Sequence, residues 1–104
     1  MSIQIFFIYA DDCLHCNSAL LMIETVIAKT QIQCEILKYL FDTPAAINIA
    51  ANNDITDLPG IVISGKYERY VFMGKNFNEE KITDAIKRVT VKWNLLSYSL
   101  TSGT

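Results

Sequence analysis

Hydrophobic positions fall into blocks whose period changes along the chain. Residues 3–10 (Ile3, Gln4, Ile5, Phe6, Phe7, Ile8, Tyr9, Ala10) form a nearly unbroken run rich in β-branched and aromatic side chains. That is the pattern of a strand covered on both faces. Asp11 and Asp12 interrupt it. From Cys13 to about Thr30 the spacing becomes helical: Cys16, Ala19, Leu20, Ile23 and Ile27 recur along one stripe, with Asn17, Ser18 and Glu24 off it. Asp12 is placed to cap this helix. Ile32 to Tyr39 returns to alternation, with Ile32, Cys34 and Ile36 on one face and Gln33 and Glu35 on the other, which predicts a second strand. Thr43 followed by Pro44 predicts a helix start, because Thr caps free N–H groups and Pro has none to lose there. Ala45–Ala51 carries that helix and Asn52–Asn53 ends it.

Gly60–Ser64 and Tyr67–Met73 predict two strands joined by Ser64-Gly65-Lys66, a tight turn with Gly65 at a permissive backbone position. A last helix is expected from about Asn78. Phe77 and Ile82 are spaced as a hydrophobic staple, Glu79 and Glu80 sit at the positive helix end, and Lys87 and Arg88 lie farther along. Ile82, Ile86, Val89, Trp93 and Leu96 keep helical spacing, which extends the helix past residue 90 even though Thr90 and Val91 are weak helix formers. The order β-α-β-α-β-β-α gives an α/β fold, a four-stranded mixed sheet with helices on both faces. Right-handed crossovers make the first two connections parallel and the hairpin adds an antiparallel strand. The chain reads as one domain over residues 1–96, followed by a C-terminal tail at 97–104 where no pattern remains.

Composition narrows the classes of function. The 104 residues are 51% hydrophobic and 19% charged, which argues against disorder and supplies a core that needs no disulfide staples. The net charge is −2 and there is no basic run, so nucleic acid is not an expected partner. The N-terminal apolar run has no basic flank and ends on two carboxylates, unlike a secretory leader. No apolar segment approaches the roughly 18 residues of a membrane span. The expectation is a cytoplasmic chain that does not engage membranes. Three cysteines are too few, and odd in number, for a secreted disulfide scaffold.

The residues that can carry chemistry are Cys13-Leu14-His15-Cys16, at the junction of the first strand and first helix. Residues three apart share a helix face, so the two sulfurs can meet in disulfide geometry without backbone movement. The first sulfur lies where unpaired N–H groups and the helix dipole favour an anion, and a thiolate is the attacking species in disulfide exchange. The second lies one turn in, shielded and able to attack a mixed disulfide. The other use of such a pair is half a zinc site, which needs two more ligands, with Cys34 and His15 the only candidates. Cys34 reads otherwise as a small buried hydrophobe, with a redox-regulatory role as its alternative. Trp93 and Tyr98 suit the core or a subunit contact. Tyr67 and Tyr70 read as ordinary strand residues, whereas Tyr9 precedes the active loop and is left open.

The strand–Cys13-Leu14-His15-Cys16–helix unit, followed by Asp57-Leu58-Pro59 and a hairpin, resembles the thioredoxin/glutaredoxin superfamily over about residues 3–89. The resemblance implies a thioredoxin-like fold and thiol–disulfide exchange by Cys13 and Cys16. It implies that Pro59 is cis and shapes a groove beside them, and that Leu58 offers backbone hydrogen bonds to an extended substrate. No bound cofactor or metal is implied; disulfide-containing proteins would be partners, and an external reductant, thioredoxin reductase or glutathione, would restore the dithiol. The chain is expected to be a monomer or weak dimer. It departs from thioredoxins in having Asp12 before Cys13, no Pro between the cysteines, and Phe7 where they bury an Asp. It departs from glutaredoxins in offering only Met73-Gly74-Lys75-Asn76 where they hold glutathione. His15 in the third motif position resembles protein disulfide isomerase and the periplasmic oxidases, and implies that a His beside Cys13 stabilises the thiolate. The alternatives are a glutathione-dependent, glutaredoxin-type enzyme and a redox-inert module that docks a protein.

Overall fold

The structure is a computed structural model that describes the backbone of residues 3–102 and the side chains of residues 3–90. Its elements run β1 (Ile3–Tyr9), α1 (Leu14–Thr30), β2 (Cys34–Leu40), α2 (Pro44–Asn52), β3 (Gly60–Ser64), β4 (Arg69–Met73) and α3 (Glu79–Ser102). The four strands form one sheet in the order β2-β1-β3-β4. β1 pairs with β2 in parallel, in register from Ile3↔Cys34 to Tyr9↔Leu40. β3 runs antiparallel to β1, and β4 antiparallel to β3.

The direction of β3 corrects the sequence expectation of a second parallel crossover. A helix of nine residues advances about 13 Å at 1.5 Å per residue. A seven-residue strand spans roughly 23 Å. α2 therefore cannot carry the chain back to the far end of the sheet. The chain re-enters at Gly60, opposite Ile8, near the end by which β2 left.

Alternation in β1 separates the two faces. Ile3, Ile5 and Phe7 join Cys16, Ala19, Ile23 and Val26 of α1, Ile61 and Ile63 of β3, and Ile82, Ile86 and Val89 of α3 in a single buried cluster. Burying each Ile side chain contributes about 1.5–3 kcal/mol. Ile8, Val62 and Ala46 of α2 are buried outside that cluster. Thr43 caps α2 by accepting the Ala46 N–H, with Pro44 in the first turn, as the sequence predicts. Asn78 Oδ1 accepts the Lys81 N–H at the start of α3. α3 continues to Ser102, through the boundary at residue 96 that the sequence suggests. The side chains of Trp93, Leu96 and Tyr98 lie outside the described residues.

The hairpin is wider than the turn read from sequence. β4 begins at Arg69 rather than Tyr67, and the Gly65 N–H donates to Glu68 O at 2.9 Å. Gly65 is also required for a different reason: its φ is not positive, but a Cβ there would run into Val89 of α3. Close packing of the last helix on the turn, rather than a left-handed backbone, selects the glycine.

Candidate active site

The turn at Asp11–Asp12, closed by the Cys13 N–H on Ala10 O at 3.4 Å, leaves residue 13 extended at φ −100° and ψ 100°. Cys13 thereby becomes the N-cap of α1, and its Sγ accepts the Cys16 N–H at 3.0 Å. This corrects the assignment of Asp12, which is exposed. Ordinary capping rules rank Asp far above Cys, but the turn places the sulfur where a capping oxygen would sit. A thiolate in that place would receive a charge-assisted hydrogen bond as well as the positive end of the helix dipole.

Cys13 and Cys16 are joined as a disulfide with Cα atoms 5.1 Å apart. Their surroundings differ: Cys13 is half-buried, whereas Cys16 is 1% exposed and belongs to the apolar cluster with Phe7. Leu14 between them is 83% exposed and marks the open side of the loop. Among the described residues no polar or charged side chain is buried, so none stands inside the core beside Cys16.

The His15 ring is held by the end of β4. Its Nε2 donates to Gly74 O at 2.7 Å, and its ring lies 5.9 Å from that of Phe77. A carbonyl can only accept, so Nε2 carries the proton and donates it in a hydrogen bond to Gly74 O. His15 thus ties the cysteine loop to the end of β4.

Pro59 is buried and the Leu58–Pro59 peptide is cis. Pro59 O accepts the Gly74 N–H at 3.0 Å. Leu58 is half-buried and packs on the same cluster as Cys13. It also lines a cavity of about 410 Å³ with Ile8, Phe41, Ala50, Ile55, Thr56 and Asp57. Phe41 is held at its rim by its N–H on Tyr9 O at 2.8 Å and is 49% exposed. The Leu58 amide is engaged from within the chain, donating to Asp57 Oδ1 at 2.9 Å. Phe41, Asp57 and Gly74 are site residues that sequence reading did not assign. An Asp one residue before the Leu-Pro pair was the available signal for one of them.

Cys34 stands apart. It pairs with Ile3 at the opposite end of β1 from the active loop, is unpaired as a thiol, and packs with Ile32 and Ile36 on the core. Burial pushes its pKa up from 9.0. Cys34 cannot join Cys13 and Cys16 around a metal ion, and no group of three or more metal-ligating side chains occurs among the described residues. Among those residues no helix is long and apolar enough to cross a membrane.

No family model and no curated protein sequence matches the chain. Solved structures do. A thioredoxin-like protein from Clostridium perfringens superposes with a TM-score of 0.71 at 20% identity, over 88% of this chain and 73% of that one. Thioredoxin 1 from Thermosipho africanus gives 0.61 at 21% identity, over 88% and 98%. Oxidized mitochondrial thioredoxin 3 from Saccharomyces cerevisiae gives 0.64 at 18% identity, over 84% and 78%. The chain has a thioredoxin-like fold.

Proposed function

We propose that the chain is a thiol–disulfide oxidoreductase acting on disulfide-containing substrates. The observation that carries this reading is the asymmetry of the pair: a half-exposed Cys13 sulfur capping α1, and a buried Cys16 one turn on, close enough to bond to it. In the reduced chain the Cys13 thiolate attacks one substrate sulfur. The substrate S–S bond breaks, one substrate thiolate leaves, and a Cys13–substrate disulfide forms. Cys16, as its thiolate, then attacks Cys13 Sγ, releases the second substrate thiolate and closes the Cys13–Cys16 bond. Two electrons pass to the substrate, and the released thiolates take up protons from solvent and from the Cys16 thiol. An external dithiol or thiol reductant must restore the pair, and in the oxidising direction the steps reverse.

Between the two donor classes, a reductase suits the site better than glutathione. Exposed Asp11, Asp12, Asp42 and Asp57 follow β1, follow β2 and precede Pro59, and glutathione is an anion. We assign the chain to the cytoplasm on the expectation that a chain carrying both an exchangeable disulfide and, far from it, a free thiol works in a reducing compartment. The test is insulin reduction with excess dithiol by the wild-type protein and by Cys13→Ser. Turnover by the wild type alone supports the reading; wild-type turnover no higher than that of the variant defeats it.

A further inference from the structure

We propose that Asp57 selects the substrate: its carboxylate closes the Leu58 amide to a peptide unless that peptide brings a cationic side chain near its cysteine. The inference rests on the disulfide-exchange reading and names the substrate class for the same site.

The first observation is where the Leu58 amide stands. The β3 ladder begins at Gly60, paired with Ile8 on one side and Met73 on the other. Leu58 precedes that ladder, packs on the cluster that Cys13 also touches, and lines the apolar cavity. An extended segment that brings a disulfide to Cys13 across this cavity meets a main-chain donor here, in the manner of strand addition. In the structure the Asp57 carboxylate occupies that donor at 2.9 Å.

The second observation is that the carboxylate has a built seat. Gly74 has φ +61°, and a Cβ on it would collide with the Asp57 carboxylate. Gly74 is fixed on both sides, its N–H donating to Pro59 O at 3.0 Å and its carbonyl accepting His15 Nε2 at 2.7 Å. The gap that admits Asp57 is therefore held open by the cysteine loop and the Pro59 segment together.

The chemistry follows. Asp57 is exposed, so its hydrogen bond to the neighbouring amide is exchangeable at small net cost. A peptide carbonyl that takes the Leu58 N–H displaces a carboxylate, which then needs a new partner. An Arg or Lys beside the substrate cysteine supplies one. A Glu or Asp there adds repulsion, reinforced by Asp11, Asp12 and Asp42 and opposed by exposed Lys75 next to Gly74.

The experiment uses the reduced full chain and two disulfide peptides that differ only in Arg or Glu beside the cysteine. Bis(2-hydroxyethyl) disulfide, which is neutral and has no main chain, serves as each variant's own reference. Second-order rate constants for oxidation of the Cys13–Cys16 pair are read by acid quench and mass. The wild type is expected to prefer the Arg peptide by roughly fivefold at low salt, the upper range for an exposed charge pair, with the preference shrinking at high salt. Asp57→Asn keeps an acceptor for the amide but no charge, and brings the ratio toward the residual left by the other Asp residues. Asp57→Ala also frees the amide, and raises both peptide rates about threefold against its reference. An unchanged Arg/Glu ratio in Asp57→Ala overturns the selection while leaving the exchange reading intact. No reaction of the wild type with bis(2-hydroxyethyl) disulfide overturns the exchange reading, and the selection with it.

Discussion

The two ends of β1 carry the same element in opposite circumstances. At its C-terminal end Cys13 caps a helix, accepts a backbone N–H and is half-buried beside exposed Leu14. At its N-terminal end Cys34 lies in register with Ile3, packs with Ile32 and Ile36, and has its ionisation opposed by burial. Roughly 20 Å of strand separates them. One chain thus sets one sulfur at a helix start and another, equally half-buried, against the core, and on the exchange reading placement rather than residue type makes the difference. The helix start supplies unpaired donors to an anion; the strand offers only methyl groups.

The largest expected effect breaks the symmetry between the cysteines outright. Cys13→Ser removes the attacking sulfur, and turnover in the insulin assay falls at least about 10³-fold, because the remaining Cys16 thiol is 1% exposed and has no second sulfur to complete the exchange. Cys34→Ser holds turnover within about twofold at a temperature where both variants are folded, as judged by circular dichroism. A loss in Cys34→Ser as large as in Cys13→Ser would refute the division of roles.

Alkylation of the fully reduced protein sharpens the contrast. With iodoacetamide near neutral pH, Cys13 is expected to react at least several-fold faster than Cys34, since the helix start favours the Cys13 thiolate while burial disfavours that of Cys34. The Cys13 rate should level off at the lower pH, whereas the Cys34 rate keeps climbing past pH 9.0. Peptide mapping by mass separates the two sites. Equal midpoints would show that the helix start does nothing for the sulfur.

Much of this contrast is legible in the sequence. The change of period at Asp11–Asp12 locates the strand–helix junction, and the three-residue spacing of Cys13 and Cys16 puts two sulfurs on one helix face. Alternation of Ile32, Cys34 and Ile36 places Cys34 on the core-facing side of its strand, where the structure leaves it half-buried rather than fully buried. What the sequence hides are relations set by closure of the sheet. His15 and Gly74 are 59 positions apart, and nothing local says that one will donate to the other. Asp57 on Leu58 is local, but the seat that holds it depends on Gly74. The direction of β3 is not legible in a β-α-β pattern alone; it depends on α2 being too short to span the strand it follows.

A smaller effect concerns His15. His15→Ala removes the Gly74 hydrogen bond and the contact with Phe77. Loss of one such half-buried bond costs about 1 kcal/mol of stability. The loosened loop should slow Cys13 alkylation by about threefold, whereas alkylation of Cys34, at the far end of β1, should not change. Denaturant midpoints and the alkylation ratio test the two parts separately. A slowing shared by both cysteines would mean that the variant loosens the whole fold and that the ends of β1 are not independent.

The smallest effect lies at the inert end and reads Cys34 through stability. Its folded pKa is raised by burial above the ordinary 9.0, so the folded chain holds the thiol proton more tightly than the unfolded chain does. Stability from this group is full below pH 9.0, where both states are protonated. Above it the unfolded thiolate forms first, so the unfolded state binds fewer protons and stability falls with rising pH until the folded thiol also ionises. The raw pH curve sums every ionisable group and is uninformative by itself. The difference between wild type and Cys34→Ala isolates the thiol: urea midpoints of the two proteins should keep a constant offset up to about pH 9 and draw together above it as the wild type alone loses this contribution. Curves that stay parallel through that range would show Cys34 to be as open to solvent as an ordinary thiol. The contrast between the two ends of β1 would then rest on Cys13 alone.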